Sequence, residues 1–391
     1  MSARTADPTF PINAWYAAAY DVELRRELMP RTICDRRLVM YRRADGSPVA
    51  LEDACWHRLL PLSKGRLVGD DVQCGYHGLV FDAGGRCVRM PSQETLNPSA
   101  CVRSYPVHEK HRFIWVWPGD PALADPARIP DLHWNDDPAW AGDGKLMHVK
   151  CDYRLVVDNL MDLTHETFVH GGSIGHEAVA EAPFEVTSTE RSVTVTRWMH
   201  GIDPPPFWAE QLRKPGPADR WQIIRFEPPC TVTIDVGVAP AGTGAPQGDR
   251  SQGVNGYVLN TITPETGTSC HYFWAFCRNY RIHEQGITQK LREGVARVFA
   301  EDEVILEAQQ QAILDHPDKE FYNLNIDAGP MWARRIIARM IAQEREIAGG
   351  ARAAGDGAAA GGAPTAGAAA KSAVRPTPLR AGMPDLAAAG H

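Results

Sequence analysis

The chain has 391 residues, of which 44% are hydrophobic, and it carries a formal net charge of −7 at pH 7. This length favours two domains with separate hydrophobic cores, and the acidic balance argues against nucleic acid as a partner. No apolar stretch reaches the roughly 18 residues that a membrane helix requires, and the first residues do not resemble a signal peptide. We therefore expect a cytoplasmic protein whose cysteines outside any metal site are reduced thiols.

Two short segments in the N-terminal half each contain one cysteine and one histidine. Cys55 and His57 lie in the first segment, and Cys74 and His77 lie in the second. In a Rieske 2Fe–2S cluster, two cysteines bind one iron and two histidines bind the other, which raises the reduction potential above that of an all-cysteine cluster. A structural zinc site is the alternative, because zinc accepts the same ligand atoms. Structural zinc usually draws on paired cysteines and paired histidines, so the mixed segments favour the Rieske cluster.

Short strands are predicted after the second segment. Residues 78–81 and 86–90 form a hairpin around a turn at 82–85, and residues 112–117 form a strand that ends at a Pro-Gly pair. Rieske proteins of respiratory complexes resemble this region but have two further cysteines that tie the cluster loops together. Leu60 and Tyr76 occupy those positions here. The absence of these two linking cysteines is typical of the lower-potential Rieske domains of aromatic-ring oxygenases.

A second candidate metal site lies downstream, where His165 and His170 are five residues apart. On a regular helix this separation turns the two side chains roughly 140° apart, at about 3.6 residues per turn. Both can face one ion only if the helix ends or loosens between them, and the two glycines after His170 provide a helix stop. Asp162 lies one turn before His165, and Asn159 lies one turn before Asp162. Together they extend a polar row along an otherwise apolar segment.

Helical periodicity gives the candidate for a third ligand. Residues 288–314 contain an apolar stripe that runs through Leu291, Val295, Val298, Phe299, Ile305 and Leu306. Asp302 falls on this stripe, whereas Glu301 and Glu303 point away from it. A carboxylate on a buried face is costly unless it is paired or binds a metal, and a buried salt bridge is the alternative. Two histidines and one carboxylate form the facial triad of non-haem Fe(II) oxygenases, which leaves coordination positions open for O₂.

With both motifs present, the chain resembles the oxygenase components of Rieske non-haem iron oxygenases, and most closely the vanillate O-demethylase type. The resemblance covers roughly residues 10 to 347. It is carried by residues 10–16, 74–79, 113–120, 151–170 and 321–329.

Carried over residue by residue, the resemblance implies two sets of metal ligands. The cluster ligands are Cys55, His57, Cys74 and His77, and the iron ligands are His165, His170 and Asp302. Asp162 is then the carboxylate that links, by hydrogen bonds, to a cluster histidine of a neighbouring subunit, and Asn159 lies near the iron without firmly binding it. Trp56 departs from the family, which usually has proline between the first cysteine and histidine, and this leaves the shape of that loop open.

The predicted architecture is α+β in two domains. An all-β Rieske domain spans 10–120, a Pro- and Asp-rich connector spans 121–143, and a catalytic domain spans 144–347. The catalytic domain contains strand-like runs at 192–198, 221–226, 231–239, 256–263 and 270–280. These runs follow one another without helices, which predicts an antiparallel sheet, and the resemblance makes it a helix-grip sheet with iron between sheet and helices. Residues 349–391 are rich in Ala, Gly and Pro, so we expect this tail to be disordered.

The expected activity is O-demethylation of a methoxylated aromatic acid such as vanillate, with O₂ as co-substrate and electrons that originate from NAD(P)H. A flavin- or ferredoxin-type reductase is the expected partner, and a subunit-crossing link through Asp162 implies a homotrimer. Two alternatives remain open: a ring hydroxylase or dioxygenase of another aromatic acid, and a non-catalytic Rieske electron carrier.

The basic residues Arg58, Lys64, Arg66, Arg86 and Arg89 form a candidate docking face for the reductase, with ordinary surface charge as the alternative. Candidate walls of the substrate pocket are Trp198, Phe207, Trp208, Asn260, Phe273 and Trp274.

Overall fold

The N-terminal region consists of short antiparallel strands arranged in three sheets. The computed structural model describes residues 9–91 and 93–358 of the chain. The strands are β1 (Tyr16–Tyr20), β2 (Met29–Ile33), β3 (Arg36–Arg42), β4 (Pro48–Glu52), β5 (Arg66–Val68), β6 (Asp71–Gln73), β7 (Val80–Phe81), β8 (Cys87–Arg89), β9 (Ser104–Tyr105), β10 (Val107–Lys110) and β11 (Phe113–Val116). They form sheets in the orders β1-β11-β10, β2-β3-β4-β9 and β5-β6-β7-β8. The predicted hairpin is present as β7 and β8, and the predicted strand that precedes the Pro-Gly pair is β11.

The C-terminal region is built on one seven-stranded antiparallel sheet. Its strands are β12 (Ala141–Val149), β13 (Phe184–Ser188), β14 (Val193–Ile202), β15 (Ala218–Glu227), β16 (Thr231–Pro240), β17 (Val254–Thr266) and β18 (Ser269–Arg278), in the order β12-β18-β17-β16-β15-β14-β13. The five strand-like runs of the sequence correspond to β14 to β18. The predicted all-β N-terminal region and the predicted C-terminal region of antiparallel sheet and helices are therefore confirmed.

The helices pack on this sheet and carry the candidate iron ligands. They are α1 (Tyr153–Met161), α2 (Glu166–Val169), α3 (Glu177–Glu181), α4 (Pro206–Leu212), α5 (Gln285–Asp315) and α6 (Ala328–Ala358). The short α1 crosses β15, β16 and β17, and the long α5 lies against β12 and β18. On α5 the residues Leu291, Val298, Phe299 and Leu306 are buried as the periodicity predicts. Ile305 does not follow the pattern, because half of its surface is exposed.

The connector is more ordered than its composition indicates. It contains 3₁₀ turns at Pro121–Leu123, Pro126–Arg128 and His133–Asn135. Asp120 and Asp125 each accept a hydrogen bond from the backbone of the turn that follows them, which is the usual role of aspartate before a proline-initiated turn. The first strand of the large sheet, β12, begins at Ala141, within the last residues of the expected connector, and pairs there with Arg278.

The N-terminal strands are joined to the large sheet by hydrogen bonds at several points. Thr263 on β17 donates through Oγ1 to the carbonyl of Ala17 at 2.6 Å, and the Tyr20 hydroxyl donates to the carbonyl of Trp274 at 2.6 Å. The amide of Cys34 donates to the carbonyl of Pro264. These groups are buried, so water does not compete with them and the bonds fix the two regions against each other.

Contacts divide the chain at residue 346 into two units, each with its own internal contacts. The last helix continues to Ala358, so residues 349–358, which we expected to be disordered, are helical instead. This stretch contains four alanines but also four glycines, so its helix propensity alone does not explain why the helix continues. The remainder of the predicted disordered tail, 359–391, lies outside the described residues. Within 9–91 and 93–358, no helix combines the length and apolar character needed to cross a bilayer.

All nine cysteines lie among the described residues; none of them forms a disulfide there, and eight are buried. Burial raises the pKa of the Cys230 and Cys277 thiols to about 12, and it raises those of Cys34 and Cys87 as well. Cys101 is the exposed exception. The expectation of reduced thiols agrees with this arrangement.

Candidate metal centres

The two Cys/His segments fold into loops with the same backbone pattern. In the first, the amide of Cys55 donates to the carbonyl of Leu60, and the amide of Leu59 donates back to Cys55. In the second, Cys74 pairs with Leu79 and Gly78 in the same way. The fourth residue after each cysteine has a positive φ, 59° at Leu59 and 74° at Gly78. Each loop therefore holds its cysteine at an equivalent position of a closed turn.

The loops present their thiols inward and their imidazoles outward. Cys55 and Cys74 are 1% and 3% exposed, whereas His57 and His77 are exposed and their rings lie 4.5 Å apart between centroids. Burial raises the pKa of Cys55 to about 11, and the neighbouring Cys74 thiol adds to the shift. Two adjacent buried thiols facing two paired imidazoles suit a cluster in which one iron takes both cysteines and the other takes both histidines.

Glycine is required between the loops because the backbones approach closely. A Cβ on Gly75 would lie 2.6 Å from the carbonyl oxygen of Lys64, well inside contact distance. Tyr76 and Trp56 flank the histidines, with 64% and 41% of their surfaces exposed. The Tyr76 ring lies 3.8 Å from the ring of His77. Trp56, at the position where the family usually has proline, is thus partly exposed beside His57.

The second centre brings together His165, His170 and Asp302. One ligand atom from each lies within 4.8 Å of the others. Asp302 Oδ1 is 3.4 Å from Nε2 of His165 and 3.2 Å from Nε2 of His170. Asn159 donates through Nδ2 to the same carboxylate oxygen at 3.1 Å. The three groups converge as a facial triad requires, and Asn159 lies beside them as expected.

A break in the helix allows both histidines to face the same point. Helix α1 ends at Met161, and Asp162 has an extended backbone with φ −128° and ψ 105°. A 3₁₀ turn at Leu163–His165 follows, and then the single turn α2 ends before His170. We expected the loosening between the histidines, but the main break lies earlier, at Asp162. The helix stop after His170 is where the glycines predict it.

Each histidine is oriented by a hydrogen bond from its other ring nitrogen. His165 donates through Nδ1 to the carbonyl of Asp162 at 2.7 Å, and His170 donates through Nδ1 to Glu301 Oε2 at 2.6 Å. These bonds fix the tautomer that leaves Nε2 of each ring free to bind a metal. Glu301 points away from the apolar stripe, as periodicity predicts, and its side chain is partly exposed, but it still reaches His170. Histidines that bind metals usually donate their other ring N–H to a carboxylate, so this rule is a signal that would have drawn attention to an acid next to Asp302.

The charges of the triad reinforce each other. Burial opposes ionisation of Asp302, but hydrogen bonds from His165 and His170 outweigh it and lower its pKa to about 2. Burial likewise lowers the pKa of both histidines, and the Asp302 carboxylate outweighs it, so both pKa values are raised. The site therefore holds a buried carboxylate that attracts positive charge, which is the property of a cation site before the ion enters.

Comparisons with known proteins agree with both centres. The family model of the Rieske [2Fe-2S] domain matches residues 14–106, and that of the vanillate O-demethylase oxygenase C-terminal domain matches residues 149–343. A vanillate O-demethylase oxygenase subunit from a Pseudomonas species is 48% identical over 80% of this chain and 96% of its own length. The chain belongs to the Rieske oxygenases of the vanillate O-demethylase type.

Related oxygenases share the fold as well as the sequence. The oxygenase component of dicamba O-demethylase from Stenotrophomonas maltophilia is 42% identical over 77% of this chain and 88% of its own length. A crystal structure of dicamba monooxygenase bound to 3,6-dichlorosalicylic acid matches with a TM-score of 0.81 and 38% identity, over 86% of this chain and 99% of that one. The alternative of a non-catalytic electron carrier does not account for an oxygenase domain over residues 149–343.

The triad of this Rieske oxygenase opens onto a cavity of about 350 Å³. Its walls are mainly apolar and include Leu160, Leu163, Phe207, Trp208, Ile234, Val236, Val258 and Phe276. Phe207 and Trp208 were expected as wall residues. Trp198, Asn260, Phe273 and Trp274 were also expected there, but they are not among the lining residues because their side chains pack elsewhere. Asn260, for example, donates to the carbonyl of Val232 and accepts from the Tyr272 hydroxyl.

Asp162 lies at the edge of the site rather than in it. Its Oδ1 accepts from the amide of Thr164 at 3.0 Å and is 4.0 Å from the guanidinium of Arg197. The side chain is partly exposed. The expected hydrogen bond from Asp162 to a cluster histidine of a neighbouring subunit stays a prediction, since it concerns a second chain.

Proposed function

We propose that the protein is the oxygenase component of a multi-component monooxygenase that removes the methyl group from a methoxylated aromatic acid such as vanillate. The observation that carries this proposal is the His165/His170/Asp302 triad at the wall of an apolar cavity of about 350 Å³, a size suited to one substituted aromatic ring. The names of the relatives support the reaction, because vanillate and dicamba O-demethylase subunits are 48% and 42% identical to this chain.

In this proposal Cys55, His57, Cys74 and His77 hold one 2Fe–2S cluster, and His165, His170 and Asp302 hold one Fe(II). The cluster supplies single electrons and the iron activates O₂ when they are bound. The cavity excludes bulk water and holds the methoxy carbon near the triad. Asn159 holds the Asp302 carboxylate through its hydrogen bond. The same proposal divides the chain into a Rieske domain at 10–120, a connector at 121–143 and a catalytic domain at 144–347.

The reaction that we propose hydroxylates the methyl carbon of the aryl ether. One oxygen atom of O₂ enters the carbon–hydrogen bond, and two electrons and two protons reduce the other oxygen atom to water. The resulting hemiacetal breaks its carbon–oxygen bond to give a phenol and formaldehyde. The hydroxyl proton of the hemiacetal is lost as the phenolic oxygen gains one, so no further oxidant or reductant is needed.

Electrons reach the cluster from an NAD(P)H-dependent flavin- or ferredoxin-type reductase in this scheme. Arg58, Lys64, Arg66, Arg86 and Arg89 are all exposed around the cluster loops, which supports a cationic docking face on an acidic protein. If this face docks an acidic reductase, reduction of the cluster slows steeply as salt is added. A rate that is independent of salt assigns these residues to ordinary surface charge.

Transfer from the cluster to the iron is proposed to cross a subunit boundary through Asp162. The exposed rings of His57 and His77 are available to a neighbouring chain, and the Asp162 carboxylate is partly exposed beside His165. A contact between these two different surfaces is head-to-tail, and a trimer closes such a ring.

The function is tested by supplying NADH, a matched reductase and a panel of methoxybenzoates, and measuring formaldehyde. We expect one formaldehyde per phenol formed, with vanillate among the substrates. Consumption of O₂ with a ring-hydroxylated product and no formaldehyde contradicts demethylation and supports the ring hydroxylase alternative. Purification of the protein with iron in the cluster alone contradicts the mononuclear site.

A further inference from the structure

A second cavity, of about 270 Å³, lies where the N-terminal strands meet α6, and it shares no lining residue with the cavity at the triad. Its wall includes the buried residues Trp15 and Trp117, which flank β1 and β11. Ile336 and Met340 of α6 and residues 228–229, between β15 and β16, complete its apolar part. The proposed reaction uses none of these residues, so this cavity has no assigned role.

Three arginines from three separate segments line this cavity. Arg128 lies in the connector, Arg191 lies between β13 and β14, and Arg339 lies on α6. Within residues 9–91 and 93–358, none of their side chains forms a salt bridge or a hydrogen bond. Glu190 is the one acidic lining residue, so the lining carries a net charge of +2 on a protein whose net charge is −7.

The guanidinium of Arg128 is held beside the cavity by an aromatic ring. It lies over the ring of Trp117, 5.1 Å from the ring centroid. Burial lowers the pKa of Arg128, and repulsion from Arg191 lowers it further. The two guanidinium groups are therefore close enough to repel each other, and an oxyanion bound between them would remove that repulsion.

The carboxylates that favour the charge of Arg128 are bound to backbone amides instead. Asp125 and Glu344 both raise the pKa of Arg128, but neither forms a salt bridge with it among the described residues. Asp125 accepts through Oδ1 from the amide of Ala127 at 2.9 Å. Glu344 accepts from the amides of residues 12 and 13 at 2.9 and 2.7 Å. The guanidinium groups thus keep their donors available to an external anion.

We propose that this cavity binds a phosphate monoester, with the phosphoryl group held by Arg128, Arg191 and Arg339 and its substituent against the apolar wall. A phosphoryl group carries a charge of about −1.5 to −2 near pH 7 and three strong acceptor oxygens, which suits three guanidinium groups and a net charge of +2. Guanidinium groups bind phosphate oxygens in pairs. A carboxylate has one charge and two oxygens, so it satisfies fewer of these donors. Binding here does not depend on which reaction the iron site performs.

The first test maps the site on the wild-type holoenzyme. Phenylglyoxal reacts with accessible arginine side chains, and mass spectrometry gives the modification rate of each one. We expect phenyl phosphate near saturation to slow modification of Arg128, Arg191 and Arg339 by about threefold or more. Benzoate at the same concentration and ionic strength should leave these rates within about twofold of those of the free protein. Equal protection by benzoate, or no protection by phenyl phosphate, overturns the site.

Arg335 is the internal control of this measurement. It lies on α6 and is exposed, and its guanidinium lies over the ring of Trp332, 4.9 Å from the centroid, much as Arg128 lies over Trp117. It does not line the cavity. Its modification rate should not respond to phenyl phosphate, and equal protection of Arg335 assigns the effect to general anion screening. Protection that follows protein concentration instead of phenyl phosphate assigns the three arginines to a contact between chains, which also overturns the site.

The second test compares Arg339→Gln with Arg335→Gln by isothermal titration with phenyl phosphate. Losing one charged donor at a partly exposed site should weaken binding by about threefold to tenfold in Arg339→Gln. Arg335→Gln should stay within about twofold of wild type. An unchanged affinity in a folded, iron-containing Arg339→Gln protein contradicts the assignment. Where Arg339→Gln does not fold, the protection of the wild-type arginines decides the question.

Discussion

The hydrogen bond from His170 to Glu301 is the contact in the iron site with the most specific expected effect. The Nδ1–Oε2 distance of 2.6 Å and the carboxylate charge indicate a strong bond that fixes the ring for metal binding. Removing such a partner typically lowers metal affinity by about 10- to 100-fold. The change Glu301→Gln keeps the side-chain shape and one acceptor oxygen but removes the charge.

The size of the expected loss of Fe(II) affinity follows from the exposure of the Glu301 carboxylate. Glu301 is 46% exposed, so solvent screens its charge, and the neutral amide retains about half of the bond strength. We therefore expect Fe(II) affinity to fall by about threefold to tenfold, which corresponds to about 0.7–1.4 kcal/mol.

Anaerobic titration with Fe(II) in competition with a chelator measures this affinity, and the absorbance of the cluster serves as an internal reference. Glu303→Gln is the control, because Glu303 lies on the same helix and makes no hydrogen bond to His165 or His170 within the described residues. The reasoning is refuted by equal affinities of Glu301→Gln and wild type, or by an equal loss in both variants.

Three further predictions concern the same two centres. Asp302→Ala should lower the iron content from about three to about two atoms per chain while the cluster spectrum stays unchanged, and elemental analysis with EPR checks this. Asp162→Ala should keep both metals but slow reoxidation of the reduced cluster in the presence of substrate and O₂, so stopped-flow reoxidation at the wild-type rate rejects the electron link. The affinity for Fe(II) should rise with pH above about 6.5 and level off once both histidines are neutral, because their pKa values are raised and iron must displace their protons. An Fe(II) affinity that stays constant or falls over this pH range in anaerobic titrations contradicts the predicted increase with pH.

The proposed metal ligands could be predicted from the sequence because their chemistry restricts residue type and spacing. Cysteine and histidine within two or three residues of each other identify the cluster loops, and a carboxylate on the apolar stripe of α5 identifies Asp302. Glu301 was missed because periodicity assigns it to the solvent side, and only the position of His170 on another helix gives it a partner. The buried hydrogen bonds from Arg220 and Gln222 to Glu166 could not be predicted for the same reason, since Glu166 lies far from both in sequence.

The strands show the same division between local and non-local information. β14 to β18 follow from their apolar and β-branched residues. β12 has no such pattern, and its strand conformation depends on pairing with β18. A Cβ on Gly144 would lie 1.7 Å from the carbonyl oxygen of Trp274, so this glycine marks the close approach of β18. The sequence of β12 alone does not contain that information.

The distribution of the cysteines gives experimental access to the electron-transfer path. Thiolates, rather than thiols, react with maleimides, so the buried cysteines with raised pKa values should react slowly. Cys101 is exposed, and Arg86 beside the cluster hairpin forms an isolated β-bridge with it. A single fluorophore or spin label attached at this position would report distances between the subunits of the proposed trimer and the arrival of the proposed reductase, without any engineered cysteine.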